Sequence, residues 1–239
     1  MNPTILRLGV RSLLGRRRGI MLFVLPVVTI LLAIVVRAIS GADLSSANIV
    51  LESLGLRVLL PLIALICSTG LLAPEIDDGS IVYLLAKPLS RVGIVANKLL
   101  VAVGCTVVFA VLPLLVAGFV LVTGEPGLVL AYVVGSVAGV LAYCALFTWL
   151  STLTRHAVVL GLIYLLVWEG LIGGLVSGVR WVGIGWWVGS IAEAVNGKAH
   201  LTSSDLSTAY AVIATVVVLV GLGWLAARRL QGFNLTGDE

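Results

Sequence analysis

Residues 19–36 read GIMLFVLPVVTILLAIVV, a run without a single charged side chain. At a rise of about 1.5 Å per residue, a helix of this length comes close to spanning the roughly 30 Å hydrocarbon core of a bilayer. Of all 239 residues, 60% are hydrophobic and only 11% are charged, whereas soluble domains carry about 25% charged residues. The sequence therefore predicts an integral membrane protein.

Five further apolar runs follow the first one. They cover about 53–73, 99–123, 127–153, 157–179 and 206–227. Each is long enough to cross the hydrocarbon core as a helix. We therefore predict an all-α polytopic membrane protein with six transmembrane helices in one domain, residues 1–239. A cleaved signal peptide is the alternative for 19–36, but this run is longer than an ordinary signal core.

The Lys and Arg residues between the runs are distributed unevenly over the two sides. Of 15 such residues, one side would hold Arg7, Arg11, Arg16, Arg17, Arg18, Lys87, Arg91, Lys98, Arg155, Arg228 and Arg229. The other side would hold Arg37, Arg57, Arg180 and Lys198. Because positively charged loops stay in the cytoplasm, both termini are predicted to be cytoplasmic. The expected counter-charge is anionic membrane lipid, and no nucleic acid partner is expected.

The segment that precedes the first run is amphipathic. In residues 1–18, helical spacing places Arg7, Arg11 and Arg18 within a narrow arc, away from most of the apolar side chains. This pattern predicts an interfacial helix. It is either a topology anchor among lipid headgroups or a lever that contacts a cytoplasmic partner.

The loop between the second and third runs, residues 74–91, has the features of a docking element. Ile81, Leu84 and Leu85 share one helical face, and Pro88 would end the helix. An apolar stripe of this kind can lie in a partner's groove while charged neighbours fix its register. The residues predicted to contact the partner are Glu75, Asp78, Gly79, Ile81, Leu84, Leu85, Lys87, Pro88 and Arg91. A solvated loop helix packed on its own bundle is the alternative.

The charged residues of this loop resemble a recurring motif of type-2 ABC exporter permeases. The match consists of Glu75, Asp78-Gly79, Lys87-Pro88, Ser90-Arg91 and Lys98. It lies directly after the second of six predicted spans, as in that family. The resemblance implies that residues 74–91 form the coupling helix, which docks onto a separate ATPase subunit. It also implies that residues 1–18 form the connecting helix along the membrane.

The same resemblance implies the rest of the assembly. Two ATPase subunits would bind ATP and Mg, and a second permease chain, identical or different, would complete the pathway. The chain would lie in a bacterial cytoplasmic membrane and work by alternating access. The sequence contains no phosphate-binding loop of the form G-x-x-x-x-G-K-[ST]. We therefore expect a chain that is not itself an enzyme and that binds no cofactor.

Catalytic and metal sites are not expected either. The two histidines, His156 and His200, fall on opposite sides of the predicted membrane. The three cysteines, Cys67, Cys105 and Cys144, all lie inside apolar runs, and their spacing does not indicate a metal site or disulfide. A non-transporting membrane scaffold that binds a cytoplasmic partner is the alternative function.

Glu169 is the acid placed deepest within a predicted span. An ionisable side chain near the bilayer centre costs about 2.5–3.5 kcal/mol on insertion scales, so it should face protein or water. One interpretation is a substrate-pathway or gating contact. The other is a structural acid bonded to a neighbouring helix end, to Arg180 or to the tryptophans that follow.

The segment after the fifth run, residues 180–205, is predicted to be an outer amphipathic or re-entrant helix. Helical spacing places Ile184, Trp187, Val188 and Ile191 on one side. Three tryptophans, Trp181, Trp186 and Trp187, fit an aromatic belt at the membrane surface. In type-2 exporters a similar segment lies at the external mouth.

Overall fold

The computed structural model describes residue 13 and residues 18–41, 43–77, 91–122, 124–154, 156–175, 177–196 and 206–231. Every regular element in these ranges is helical. The main helices are α1 (Arg18–Ser40), α2 (Leu44–Leu71, with helical backbone continuing to Asp77), α3 (Val92–Leu121), α4 (Pro126–Leu153), α5 (Ala157–Ile172), α6 (Ile184–Asn196) and α7 (Thr208–Gln231). Two short turns, Gly173–Leu175 and Ser177–Trp181, connect α5 to α6.

Five of these helices are long and apolar enough to cross a membrane, namely α1, α2, α3, α4 and α7. They coincide with five of the six predicted runs, which confirms an all-helical, membrane-spanning class for the described part of the chain. The remaining run, 157–179, forms the shorter helix α5 and the two turns that follow it. Glycine has a low helix propensity, and Gly173 and Gly174 lie directly after α5, where the long helix would have continued. A sixth span over all of 157–179 therefore stays a prediction.

Helices α2 and α3 begin earlier than the hydropathy predicts. Asp43 caps α2, because its carboxylate accepts hydrogen bonds from the backbone N–H groups of Ser45 and Ser46 at 3.3 and 3.0 Å. The Ser46 hydroxyl also donates to this carboxylate, and these bonds lower the pKa of Asp43. Helix α3 includes Lys98, although the predicted run begins one residue later, at residue 99. The local cap thus sets the start of α2, and α3 extends through a polar residue.

Segments of π-helix occur inside three of the described helices. They cover Val50–Leu59 in α2, Val107–Val111 in α3 and Tyr164–Ile172 in α5. The first two are followed within two residues by Pro61 and Pro113. Proline cannot donate to the carbonyl four residues earlier and its ring crowds that turn, so a wider turn accommodates it. The segment in α5 contains no proline, and it carries Glu169.

Helix α4 lies at the centre of the described bundle. In its most apolar window 67% of the residues are buried, against 28% in α1 and 17% in α7. Helix α6 packs directly on the α4 backbone. A Cβ atom on Gly135 would lie 2.7 Å from the carbonyl oxygen of Val188, and one on Gly139 would lie 2.7 Å from Val188 Cγ2. The missing side chains at these two glycines therefore permit the close approach of α6.

Candidate functional site

Most of the residues predicted from the loop motif lie outside the described residues. This applies to Asp78, Gly79, Ile81, Leu84, Leu85, Lys87 and Pro88, and to Arg7 and Arg11 of the predicted interfacial helix. Glu75 lies in the last helical turns that follow α2, and Arg91 and Arg18 begin their helices. Only the backbone of these three residues is described. The coupling and interfacial roles therefore stay predictions.

The base of the predicted coupling loop is nevertheless defined by one buried contact. Lys98, which is only 5% exposed, donates from Nζ to the carbonyl oxygen of Leu71 at 2.9 Å. Leu71 lies four residues before Glu75, and Lys98 is the last residue of the loop motif. The contact therefore ties the helix that enters the loop to the helix that leaves it.

A second contact brings the N-terminal segment to the same place. Leu13 is 3% exposed, and its Cδ2 atom would lie 2.7 Å from a Cβ atom on Gly70. Gly70 adjoins Leu71, which accepts the Lys98 hydrogen bond. Leu13, which belongs to the segment predicted to lie along the membrane, thus contacts α2 beside the entrance to the loop.

Glu169 is half-buried and accepts hydrogen bonds from three donors in three parts of the chain. The Tyr143 hydroxyl of α4 donates to Oε2 at 2.5 Å, and the Tyr164 hydroxyl of α5 donates to Oε1 at 3.1 Å. The backbone N–H of Gly185, in the first turn of α6, donates to Oε1 at 3.3 Å. A carboxylate at this position also interacts favourably with the positive end of the helix dipole. This geometry contains the bond to a neighbouring helix end that the structural interpretation of Glu169 expects, and the gating interpretation stays a prediction.

Beside Glu169, two arginines lie against one tryptophan ring. The guanidinium carbons of Arg57 and Arg180 are each 4.7 Å from the centroid of the Trp186 ring. Arg57 also forms an ion pair with Glu52, with 2.6 Å between Nη2 and Oε1. Arg57 comes from the π segment of α2 and Arg180 from the turn after α5. The Trp186 ring therefore joins three separate elements around two positive charges.

The aromatic residues of this region hold α6 inside the protein. Trp186 and Trp187 are 7% and 5% exposed, whereas Trp181 is 49% exposed. The Trp187 indole and the Tyr210 hydroxyl both donate to the carbonyl oxygen of Trp181, each at 2.8 Å. The aromatic-belt interpretation is therefore wrong for Trp186 and Trp187. Their rings pack against the protein itself because α6 packs closely on α4.

A small cavity lies among these groups. It has a volume of about 110 Å³ and is lined by Arg57, Leu165, Glu169, Gly170, Gly185 and Trp186. The two charged side chains that line it are Glu169, which accepts the three hydrogen bonds described above, and Arg57, which stacks on Trp186. A cavity of this size holds a few water molecules or one small polar group, since a water molecule occupies about 30 Å³ in the liquid.

Sequence reasoning identified Glu169 but missed most of its surroundings. Tyr143 and Tyr164 lie in apolar runs without any distinguishing spacing, Gly185 lies in the predicted outer segment 180–205, and Arg57 indicated only topology. One signal was available: a tyrosine hydroxyl inside a membrane span needs a hydrogen-bond partner within the protein, and Glu169 is such a partner. No group of three or more His, Cys, Asp or Glu side chains suited to a metal ion occurs among the described residues.

Comparison with known proteins identifies the family. The chain matches the family model described as ABC-2 family transporter protein over residues 35–182. This range includes α2 to α5, the predicted coupling loop, Glu169 and Arg180. No curated protein matches the chain. The family predicted from the loop motif is thus confirmed, and the chain belongs to the ABC-2 transporter family, as a membrane-integral permease component of an ABC transporter.

Proposed function

We propose that this chain is the membrane subunit of an ATP-driven exporter and forms the translocation pathway with a second permease chain. ATP and Mg bind to two separate ATPase subunits, on which residues 74–91 dock. Closure of the ATPase dimer moves the two coupling loops, and the helices reorient by alternating access. The family match over residues 35–182 carries this proposal, because it contains the helices on both sides of the loop.

The contacts at the base of the loop support a mechanical role for it. A movement of the loop reaches α2 and α3 together, because Lys98 in α3 donates to the Leu71 carbonyl in α2. Leu13 contacts α2 at Gly70, one residue away from Leu71. In this proposal both termini and the loop are cytoplasmic, and the membrane is the bacterial inner membrane.

Glu169 has a gating role in the proposed mechanism. It joins α4, α5 and α6 through Tyr143, Tyr164 and Gly185. By the predicted topology this cluster faces the external side. Breaking the bonds of Glu169 would release the first turn of α6 from α5, which gives the pathway a means to open at that end.

Co-purification with a co-expressed ABC-type ATPase from the same genome tests the proposal. The variant is the double charge reversal Glu75→Lys with Asp78→Lys, and the control is Asp238→Lys with Glu239→Lys, the same charge change on the C-terminal tail. We expect the loop variant to insert normally and lose the ATPase, while the control retains it. Retention of the ATPase by the loop variant would refute the docking role of residues 74–91. Failure of the wild-type chain to bind any ATPase would refute the transporter assembly.

A further inference from the structure

One exposed face of α7 carries a regular apolar stripe. The stripe consists of Ile213, Val217, Val220 and Trp224, at helical spacings of four, three and four residues. These four side chains are between 50% and 64% exposed. From Ile213 to Trp224 the helix rises about 17 Å, close to the roughly 15 Å of hydrocarbon in one leaflet of a bilayer. The stripe therefore has the length of one acyl chain.

The packed side of α7 fixes which face is exposed. Ala226 and Ala227 are 0% and 2% exposed, and they pack with Val95 of α3 and Trp149 of α4. Two positions along a helix turn the side chain by about 200°. Burial of Ala226 therefore directs Arg228 away from the bundle, and the Arg228 side chain is exposed.

Arg228 extends the stripe by one helical turn and stacks on its last ring. The Arg228 guanidinium carbon lies 3.7 Å from the centroid of the Trp224 ring. This contact uses the flat face of the guanidinium, so the N–H donors at its edge can point to an acceptor beside the ring. Such paired donors match the oxygens of a phosphate group. The Trp224 ring thus orients a phosphate-binding group at the end of the apolar stripe.

The charge at this end of α7 favours an anionic partner. Helix α7 contains no acidic residue, and its last turn carries Arg228 and Arg229. No ion pair joins either arginine to a carboxylate among the described residues. A tryptophan followed by basic residues is typical of the level at which lipid headgroups lie. A partner that has a phosphate at one end and an apolar chain one leaflet long matches both the charge and the stripe.

We propose that Arg228, the Trp224 ring and the α7 stripe form a binding site for one anionic phospholipid. The lipid phosphate accepts hydrogen bonds from the Arg228 guanidinium, and one acyl chain lies along the stripe. Arg229 adds positive charge but points in another direction, because neighbouring helical residues differ by about 100°. The site lies at one membrane surface whichever way the chain is oriented, and it does not require ATPase coupling.

Native mass spectrometry of the purified full-length chain in neutral detergent tests this site. The measurement is the Kd of the first bound lipid, for phosphatidylglycerol and for phosphatidylcholine with the same acyl chains. The test variants are Arg228→Gln and Trp224→Leu, both at exposed positions. The matched control is Arg229→Gln, which removes the same charge one residue further along and leaves the stack of Arg228 on Trp224 intact.

We expect the wild type to bind phosphatidylglycerol more tightly than phosphatidylcholine. Arg228→Gln should raise the Kd for phosphatidylglycerol by roughly fivefold, the usual effect of one arginine at an anionic surface. Trp224→Leu should also raise it, because the guanidinium loses its orientation, whereas Arg229→Gln should change it by about twofold or less. The Kd for phosphatidylcholine should stay the same in all three variants. Arg228→Lys retains the charge without the paired donors, so its Kd should lie between those of the wild type and Arg228→Gln.

Three results would overturn the proposal: equal Kd values for the two lipids in the wild type, an unchanged phosphatidylglycerol Kd in Arg228→Gln, or an equal loss in Arg229→Gln. The last result would indicate general surface charge instead of a site. A dimer mass that disappears in the double variant Ile213→Ser with Val217→Ser, without any lipid preference, would assign the stripe to a second copy of this chain. Because the sample contains no ATPase, failure of this test leaves the coupling proposal untouched.

Discussion

Tyr164 and Glu169 lie five residues apart in one helix and share a hydrogen bond of 3.1 Å. In an α-helix, positions five apart point in different directions, since neighbours on one face are three or four apart. The pair meets because residues 164–172 form a π-helix, in which the repeat is wider. Glu52 and Arg57 repeat the relationship in the π segment of α2, with 2.6 Å between their charged groups. One member of each pair, Glu169 and Arg57, lines the same cavity.

The hydrogen bond between Tyr143 and Glu169 should be strongly coupled. We expect Tyr143→Phe and Glu169→Gln to be non-additive by about 1–3 kcal/mol, because each removes the same charge-assisted bond. Thermal unfolding of the single and double variants in detergent measures this. Tyr210→Phe is the control, since its hydroxyl donates to Trp181 instead, and its effect should add to that of Glu169→Gln. Additivity of the Tyr143 pair would contradict the contact.

The proposed gating role of Glu169 predicts that its replacement affects transport more than the accumulation of the protein in the membrane. Glu169→Gln should reduce transport more than the amount of protein in the membrane, because Gln retains one carbonyl oxygen to accept from the α6 backbone. Transport by the reconstituted complex and membrane protein level are measured together. If the variant fails to accumulate while the surviving protein transports normally, Glu169 serves only to hold the fold.

Gly135 should tolerate no side chain. In Gly135→Ala the new Cβ would meet the Val188 carbonyl oxygen at 2.7 Å, so α6 must move away from α4. We expect a loss of about 1–3 kcal/mol in the free energy of unfolding, as for other overpacked sites. Gly104→Ala in α3 is the control, because no described atom lies within 4 Å of its Cβ position. Equal unfolding temperatures for the two variants would disprove the close approach.

We expect stability and coupling to depend on the hydrogen-bond donor of Lys98 as well as on the size of its side chain. In Lys98→Met the buried Leu71 carbonyl loses a charged donor, at a cost of about 1–3 kcal/mol. We expect weaker coupling between ATP hydrolysis and transport, because α2 and α3 are no longer tied below the loop. Lys98→Arg keeps the charge and should retain part of the coupling. Full coupling in Lys98→Met, measured as transported substrate per ATP hydrolysed, would exclude this function.

The Glu52–Arg57 pair should contribute little by itself. The side chains are 21% and 43% exposed, and such partly exposed ion pairs contribute about 1 kcal/mol or less. Arg57→Gln should be more destabilising than Glu52→Gln, because it also removes the contact with Trp186. The Glu52→Gln effect should shrink as salt is raised. Identical unfolding temperatures for the two variants would contradict the stacking role of Arg57.

The sequence by itself determined the class of protein and the approximate position of five membrane-capable helices. Runs such as 19–36 exclude charge so completely that only a nonpolar environment suits them. Charged residues at fixed spacing after the second run were sufficient to identify the family. These features depend on local composition and linear order, which the sequence contains directly.

Tertiary structure alone decided where α3 begins and which residues surround Glu169, whereas the local Asp43 cap sets the start of α2. Lys98 can lie inside a helix because a distant carbonyl, that of Leu71, accepts a hydrogen bond from its Nζ atom. Tyr143, Tyr164 and Gly185 converge because a π-helix alters the direction of α5 side chains and because Gly135 admits α6 against α4. Regular helical periodicity predicts neither the place of Lys98 nor the convergence at Glu169. Both depend on contacts between helices and on a local change of helical turn.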